Sequence, residues 1–377
     1  MKKIVVAMSG GVDSSVAAAL LQQQGYEVEG MFMKNWSPDT IQSLTDCPWE
    51  QDQADAAAVC EKLGIPFRSI NFEKEYKERV VDYFLREYAA GRTPNPDVMC
   101  NKEIKFDAFL KAATEMGADH IATGHYARVE ERDGRFRLLR GVDAKKDQSY
   151  FLYALNQEQL SRSVFPLGEM TKDKVRELAI QFDLPTAQKK DSQGICFIGH
   201  IDLKKFLMEE IAAKPGATYL LPEYDPAKTF EERLKASYWV GRHLGAMYYT
   251  VGERAGNIVD NGIYRRLRNG ADVKPTYVVH KDGERGIIYV TDRHDDLDFG
   301  VYGVELEAFD GIVPEGKLTA QIRYQQRDMA TVESIEGATI RFAKATPLMA
   351  VAEGQSLVLY KKDEVVGGGI VQRLIRN

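Results

Sequence analysis

The sequence predicts an α/β fold: a mostly parallel sheet covered by helices, then a small central domain, then a C-terminal antiparallel β-barrel. Three observations carry that prediction. A short apolar run, residues 4–8, is followed at once by Ser9-Gly10-Gly11-Val12-Asp13-Ser14-Ser15 and then by apolar residues at helical spacing. Up to about residue 200, strand-like and helix-like runs alternate, the pattern of a sheet with helices on both faces. From Val301 onward the apolar runs are short, alternating and closely spaced, which suits a small barrel.

The elements follow in order. Val16, Ala17, Leu20 and Leu21 mark the first helix, closed by Gly25, and residues 26–33 the second strand. Residues 49–63 read as a helix carrying Ala54, Ala57, Ala58 and Leu63, stopped by Gly64 and Pro66. A third strand at 67–70 precedes a long helix at 73–90 that Gly91 ends. Residues 101–116 place Ile104, Ala108, Ala112 and Met116 on one helical face, with Gly117 as the cap. A short strand at 120–123 runs into Gly124-His125, and Asp133-Gly134 joins 127–129 to 136–139 as a hairpin. Near Pro215-Gly216 the character changes: 221–300 is rich in Gly, Tyr and the turn pairs Asn261-Gly262 and Asp282-Gly283, and poor in helical periodicity. Barrel strands are expected at 319–323, 338–342, 356–360 and 369–373. The expected domains are 1–210, 211–300 and 301–377, without internal repeats.

With 377 residues, 44% hydrophobic and 28% charged, the chain has the composition of a soluble globular protein. The apolar run after Lys2-Lys3 breaks at Ser9, too early for a signal peptide, and no apolar stretch is long enough to span a bilayer; a cytoplasmic protein with no membrane partner is expected. Four cysteines, Cys47, Cys60, Cys100 and Cys196, are too few and scattered for a disulfide scaffold, and no C-x-x-C pair points to a zinc ribbon. Cys60, on an apolar helix, reads as core and Cys47, beside Pro48, as loop. A formal net charge of -6 gives no hint of nucleic acid, so an RNA binder would have to gather its positive charge locally. One run does so, Arg128 to Lys146, with seven basic residues against four acidic; on charge alone it reads as a solvated hairpin.

Three stretches carry chemistry. A strand, a glycine-rich turn and a helix together let backbone N–H groups and a helix N-terminus hold a phosphate, and Ser9, Ser14 and Ser15 add hydroxyl donors. No Lys follows the glycines, so this is not the G-x-x-x-x-G-K-[ST] loop; an unliganded serine-rich turn is the plainer alternative. In the second stretch, Gly91 to Lys102, Pro94 and Pro96 stiffen a loop that ends at Cys100. A helix beginning at Asn101, together with Lys102, would favour the thiolate, and Asp97 is near enough to act as general acid or base. A buried structural cysteine is the competing reading. The third stretch, Lys189 to Gly199, places Cys196 after a Gly-containing loop. Two loop cysteines beside such a sheet suggest a sulfur-handling pair, one carrying sulfur and the other resolving it.

Together with Ala122-Thr123-Gly124-His125-Tyr126, Lys146-Asp147-Gln148-Ser149-Tyr150-Phe151, Ile322-Arg323-Tyr324, Glu353-Gly354-Gln355 and Gly367-Gly368-Gly369, these motifs resemble those of the tRNA-specific 2-thiouridylases (MnmA, also called TrmU). The first loop resembles the pyrophosphate-binding loop of ATP pyrophosphatases. The likeness is dense over residues 1–210 and resumes in the barrel. It implies a Rossmann-like PP-loop domain and a reaction in which ATP adenylates the carbon-2 oxygen of a flipped-out wobble uridine and sulfur replaces it. It implies ATP contacts at Ala7, Met8, Ser9, Gly10, Gly11, Val12, Asp13, Ser14, Met33 and Gly124, with Mg²⁺ expected on the departing pyrophosphate. It implies Cys196 as persulfide carrier. Cys100 is then the nucleophile that frees the terminal sulfur or closes a Cys100–Cys196 disulfide. Asn95, Pro96 and Asp97 are implied at the target base, and His125, Lys146, Asp147, Gln148, Arg323, Tyr324 and Gln355 on the tRNA. The implied partners are tRNA and a persulfide-donating sulfur-relay protein or cysteine desulfurase. The central region departs from the pattern: Gly252-Glu253-Arg254-Ala255-Gly256-Asn257 stands where the family usually has Gly-Gln-Arg-Arg-Gly-Leu, and 224–242 is longer. That leaves the grip on the tRNA body open.

Two other functions fit parts of the sequence. An adenylating enzyme forming an amide on a small substrate would use the first loop but not the two cysteines. A non-catalytic tRNA-binding relative would not need the intact Ser9 to Ser15 segment. A variant of the first reading lets Cys100, Cys196 and Asp97 ligate an iron–sulfur cluster, although such clusters usually use closer cysteine spacing.

Overall fold

The computed structural model describes residues 1–37, 49–190, 203–293, 297–326 and 328–376. Five parallel strands form the first sheet: β1 (Lys3–Met8), β2 (Glu27–Lys34), β3 (Phe67–Asn71), β4 (His120–Ala122) and β7 (Ser163–Val164), in the order β3-β2-β1-β4-β7. Strand β1 is apolar throughout because both its faces are covered. Ile4, Val6 and Met8 pack with Val16 and Leu20 of α1 (Val12–Gln23) and with Val59 and Cys60 of α2 (Trp49–Leu63). Val5 and Ala7 face a second cluster, with Phe84 of α3 (residues 73–89) and Ile104, Phe109 and Ala113 of α4 (residues 96–115). Val175 and Ala179 of α5 (Lys172–Gln181) join the first cluster. Strand β1 has β2 on one side and β4 on the other, so the chain order reverses there. The carboxyl end of β1 is therefore the crevice in which an open α/β sheet receives ligands.

Several expected details change. In α2 the buried residues are Ala56, Val59 and Cys60, and Ala54 is exposed; steps of three and four hold one face, and the expected set began one residue off it. Cys60 is core, as expected: burial pushes its thiol up to about 12. In α4 the buried face is Ile104, Phe106, Phe109, Leu110 and Ala113, while Ala108, Ala112 and Met116 are half-buried. A strict four-residue spacing drifts around a 3.6-residue helix, and a π-helical stretch at Asn101–Ala108 shifts the phase further. Helix α4 also starts at Pro96, not Asn101. The Asn95 side chain accepts from the N–H groups of Asp97 and Val98, at 3.1 and 3.2 Å, and Pro96 fills the first helical position, where its missing N–H costs nothing.

The central region begins with α6 (Leu203–Glu210) and holds a four-stranded sheet of β8 (Gly216–Leu220), β9 (Tyr238–His243), β10 (Tyr277–Asp282) and β11 (Ile287–Thr291), ordered β10-β11-β8-β9. Asp282 ends β10 and Gly283 opens the turn, 283–286, that leads to β11, so the expected turn lies there but is longer than the pair. Asn261-Gly262 is not a turn: it opens α8 (Asn261–Leu267), after α7 (Phe230–Lys235), because the Asp260 carboxylate caps the helix by accepting from Ile263 N–H at 2.9 Å.

In the C-terminal region β12 (Gly300–Val301) pairs with β18 (Leu348–Met349). The barrel comprises β13 (Gly303–Leu306), β15 (Thr319–Gln321), β16 (Ala330–Glu336), β17 (Thr339–Phe342), β19 (Ser356–Lys361) and β20 (Glu364–Ile375), with the short β14 (Asp310–Gly311) on β20. It closes because β13 pairs with both β17 and β20. The hairpin β5 (Ala127–Arg132) and β6 (Arg135–Arg140) turns at Asp133 and Gly134, both at positive φ. It docks on the barrel: Leu139 pairs with Glu364, and Arg140 N–H donates to Asp363 O at 2.8 Å. Among the described residues, no helix is long and apolar enough to cross a membrane.

Candidate nucleotide and RNA site

Residues 9–15 bridge the end of β1 and the start of α1. Ser9 N–H donates to Ser14 Oγ at 3.2 Å, and the hydroxyls of Ser14 and Ser15 donate to Gly11 O at 3.1 and 2.8 Å, which closes the loop on itself. Gly10 has φ +72°, and a Cβ there would lie 2.3 Å from Asp52 O of α2, so only glycine fits. A Cβ on Gly124 would stand 2.8 Å from Ser14 N, placing the carboxyl end of β4 directly against the first turn of α1. Ala7 and Met8 lie in the buried end of β1, Val12 is buried and Met33 half-buried near the end of β2.

Asp13 does not stand alone. Both of its carboxylate oxygens receive Lys172 Nζ at 2.8 Å, and Tyr126 OH donates to Oδ1 at 2.8 Å. The sequence pointed to neither partner. Tyr126 lay inside a noted motif, but Lys172 had no signal beyond following its helix cap, Thr171. Within 122–126 the roles divide by residue. Thr123 Oγ1 pairs with His125 Nδ1 at 2.7 Å, Gly124 admits the loop, and Tyr126 holds Asp13. His125 is buried against Phe106 and Phe165. Burial first, and Lys105 second, hold its imidazole well below the ordinary range, so it is neutral.

The second stretch lies on the other face of the sheet. Cys100 is buried, 1% exposed, in the same cluster as Ala7. Because α4 begins at Pro96, Cys100 lies beyond the first turn, where the helix dipole acts most strongly. Lys102 is exposed and sits 3.6 Å from Glu103. Neither expected source of thiolate stabilisation therefore applies at full strength. Cys196, with residues 191–199, and Cys47 lie outside the described residues.

The residues expected at the RNA come together around the start of α4. Tyr150 OH donates to Ile322 O at 2.8 Å and to Ser356 O at 2.9 Å, and also bonds the Asn95 side chain. Asn101 Nδ2 donates to Phe151 O at 3.2 Å, and the Phe151 ring lies 4.8 Å from that of Tyr324. Thr93 N–H donates to Glu353 O at 2.7 Å; Gly354, at φ +88°, would place a Cβ 2.9 Å from Thr93 N. Gln355 Oε1 accepts from Ala352 N–H at 3.1 Å. The Arg323 guanidinium donates to Ala350 O beside Gly252, so the divergent central stretch touches this junction.

Two expectations are corrected in detail. The Asp147 carboxylate accepts from Arg140, Gly141 N–H, Ser149 N–H and Ser149 Oγ, at 2.7–3.1 Å, which leaves it occupied inside the protein. Gln148 Oε1 likewise accepts from Tyr126 N–H at 3.0 Å. The basic run is solvated only in part: Arg132, Arg135 and Lys145 are exposed, whereas Arg137 pairs with Glu364 at 2.8 Å, and Arg140 spans Asp147 and Gln321 and lies 3.5 Å over the Tyr360 ring. Arg137 and Arg140 fix the barrel to the first domain. Lys146 is half-buried and Arg323 exposed.

Residues 2–200 match the family model described as the tRNA methyl transferase HUP domain, residues 228–292 the tRNA methyl transferase PRC-barrel domain, and residues 310–371 the aminomethyltransferase beta-barrel domain. The tRNA-specific 2-thiouridylase MnmA of Alkaliphilus oremlandii is 48% identical over 99% of this chain and 98% of its own length. Those of Pectobacterium atrosepticum and Streptococcus sanguinis are 46% and 45% identical over 100% of this chain and 98% and 96% of their own. Among solved structures, a 4-thiouridine synthetase–RNA complex with bound ATP overlaps 52% of this chain and 45% of its own, at 22% identity and a TM-score of 0.34. Identity of this order along the whole length settles the relationship: the chain belongs to the tRNA-specific 2-thiouridylase family.

Proposed function

We propose that this tRNA sulfurtransferase is an ATP-dependent uridine 2-sulfurtransferase acting on the wobble position. The observation that carries the reading is the convergence of the start of α4 with 150–151, 322–324 and 353–356 on a domain whose glycine-serine loop occupies the switch point of the sheet. The first loop holds ATP through Ala7 to Ser14, Met33 and Gly124. The carbon-2 oxygen attacks the α-phosphate, pyrophosphate leaves, and the oxygen becomes part of an AMP leaving group. The terminal sulfur of a Cys196 persulfide then attacks carbon 2 and AMP departs. Attack of the Cys100 thiolate on Cys196 Sγ releases the thiocarbonyl and leaves a Cys100–Cys196 disulfide, which an external thiol reopens. Asp97 moves the proton, and Asn95 and Pro96 shape the pocket for the base. Lys146, Arg323, Tyr324 and Gln355 line the RNA side, whereas His125, buried between Phe106 and Phe165, acts with Asp147 and Gln148 to hold that wall in place rather than touching RNA as the sequence implied. A protein persulfide donor loads Cys196.

Among the described residues no group of three or more His, Cys, Asp or Glu could form a resident metal site. A nucleotide-borne Mg²⁺ needs only one or two carboxylates, and Asp13 with the loop hydroxyls fits that requirement. When bound, such an ion neutralises charge on the departing pyrophosphate.

The test is to incubate the purified protein with ATP, a persulfide donor and unmodified tRNA and to analyse nucleosides by mass spectrometry. Sulfur at carbon 2 of the wobble uridine is expected. Cys196→Ser should release pyrophosphate yet give no thionucleoside. Thiolation by Cys196→Ser from a protein persulfide would exclude the carrier role.

A further inference from the structure

The glycine-serine loop carries no cation of its own; between Ser9 and Ser15 its only charge is Asp13. A polyphosphate brought to a bare carboxylate would be repelled, so positive charge must reach it from elsewhere. Lys172 is placed to supply it. Its ammonium lies 2.8 Å from both Asp13 oxygens, and its side chain is only 12% exposed. Its backbone is fixed at the first position of α5, where its N–H donates to Asp143 Oδ2 at 2.9 Å. Lys189, a second lysine beside the loop, is neutralised by two carboxylates of α2, Asp52 at 2.7 Å and Asp55 at 2.5 Å. If Lys172 moved from Asp13, the carboxylate would keep the Tyr126 hydroxyl as a donor. A lysine ammonium, a compact charge with three rotatable donors on a flexible stem, suits exchange between two acceptors.

We propose that Lys172 is a ligand of the nucleotide's departing pyrophosphate, held on Asp13 until ATP binds and then transferred to a phosphate oxygen. The proposal rests on the ATP reading of residues 9–15. It makes the Asp13–Lys172 pair an exchange point in which nucleotide phosphate and Asp13 compete for one ammonium. Asp13 is thereby released to face the counter-ion that ATP carries.

The experiment measures binding of ATP and of AMP to the full-length protein in EDTA, for wild type, Lys172→Gln, Lys172→Arg and Asp13→Asn, with melting temperatures alongside. Loss of a charge-assisted contact should weaken ATP binding to Lys172→Gln roughly 10- to 100-fold. AMP, which lacks the departing phosphates, should bind almost unchanged, and Lys172→Arg should recover part of the ATP affinity. Asp13→Asn should bind ATP more tightly than wild type in EDTA, because nothing then competes for the ammonium. A lysine that merely braces the loop predicts the opposite: both variants weaker, with ATP and AMP affected alike. That outcome, or unchanged ATP affinity in Lys172→Gln, overturns the proposal. Failure of wild type to bind ATP both in EDTA and with Mg²⁺ present would instead overturn the functional reading, whereas binding that appears only with Mg²⁺ would overturn the proposal.

Discussion

Replacing Gly124 by alanine isolates one structural claim, that the end of β4 positions the glycine-serine loop by direct contact. The backbone of Gly124 is not in the left-handed region, so the substitution carries no conformational strain of its own. Its cost is steric. The new methyl would stand 2.8 Å from Ser14 N and 2.9 Å from Asp13 C. Reaching an ordinary separation of about 3.5 Å requires the first turn of α1 to retreat by roughly 0.7 Å. Overpacking of that kind costs about 1–3 kcal/mol of stability. The functional loss should be larger than the stability loss. Displacing preorganised groups by about 1 Å can cost roughly 100-fold in rate, and this turn carries Asp13, Ser14 and the loop N–H groups. Denaturant unfolding, ATP binding and tRNA thiolation should be measured together. Gly256→Ala serves as the control: its Cβ would meet nothing within 4 Å, so it should stay within about 0.5 kcal/mol of wild type with full activity. A Gly124→Ala protein with wild-type ATP affinity and thiolation rate would refute the contact as the device that sets the loop.

Arg140→Ala removes the guanidinium that spans Asp147, Gln321 and the Tyr360 ring and leaves the buried Asp147 without its cation. A loss of about 2–4 kcal/mol is expected, read by denaturant unfolding, with faster proteolysis between hairpin and barrel. Asn95→Ala removes the α4 cap and should cost about 1 kcal/mol, with a larger fall in thiolation because the start of α4 frays; Asn95→Asp should restore stability. The ring of His280 packs between Phe230 and Tyr289, and burial with the nearby Arg376 lowers its pKa to about 4. The unfolded chain binds a proton near pH 6.5 and the folded one only near 4, so stability falls on acidification through that window, by at most roughly 3 kcal/mol. His280→Phe should flatten that part of the pH–stability curve, and an unchanged acid slope would refute the assignment. Cys60→Ala should leave thiolation intact, since the Cys60 thiol meets only core.

Much of the architecture is written locally. Residues 4–25 specify a strand, a tight glycine turn and a helix by period and by glycine placement alone. Asp133-Gly134 specifies its hairpin, and Gly64 with Pro66 the end of the helix at Leu63. Where prediction missed, a weak local signal met a stronger competitor. Asn95-Pro96 starts α4 earlier than the apolar spacing implied, because a cap and a proline outweigh periodicity. Asp260 turns Asn261-Gly262 into a helix by the same means.

The sequence by itself determined the parallel sheet, the glycine-serine loop between strand and helix and the motifs that mark the family, because each depends on spacing over a few residues. Only the tertiary structure decided what those residues touch. Lys172 reaches Asp13 across 159 positions of chain. Arg137 and Arg140, within the Arg128–Lys146 run, bind the barrel because their partners there, Glu364 and Gln321, sit where folding places them. Charge and polarity are local properties of a sequence; partnership is set by which distant surfaces fold together.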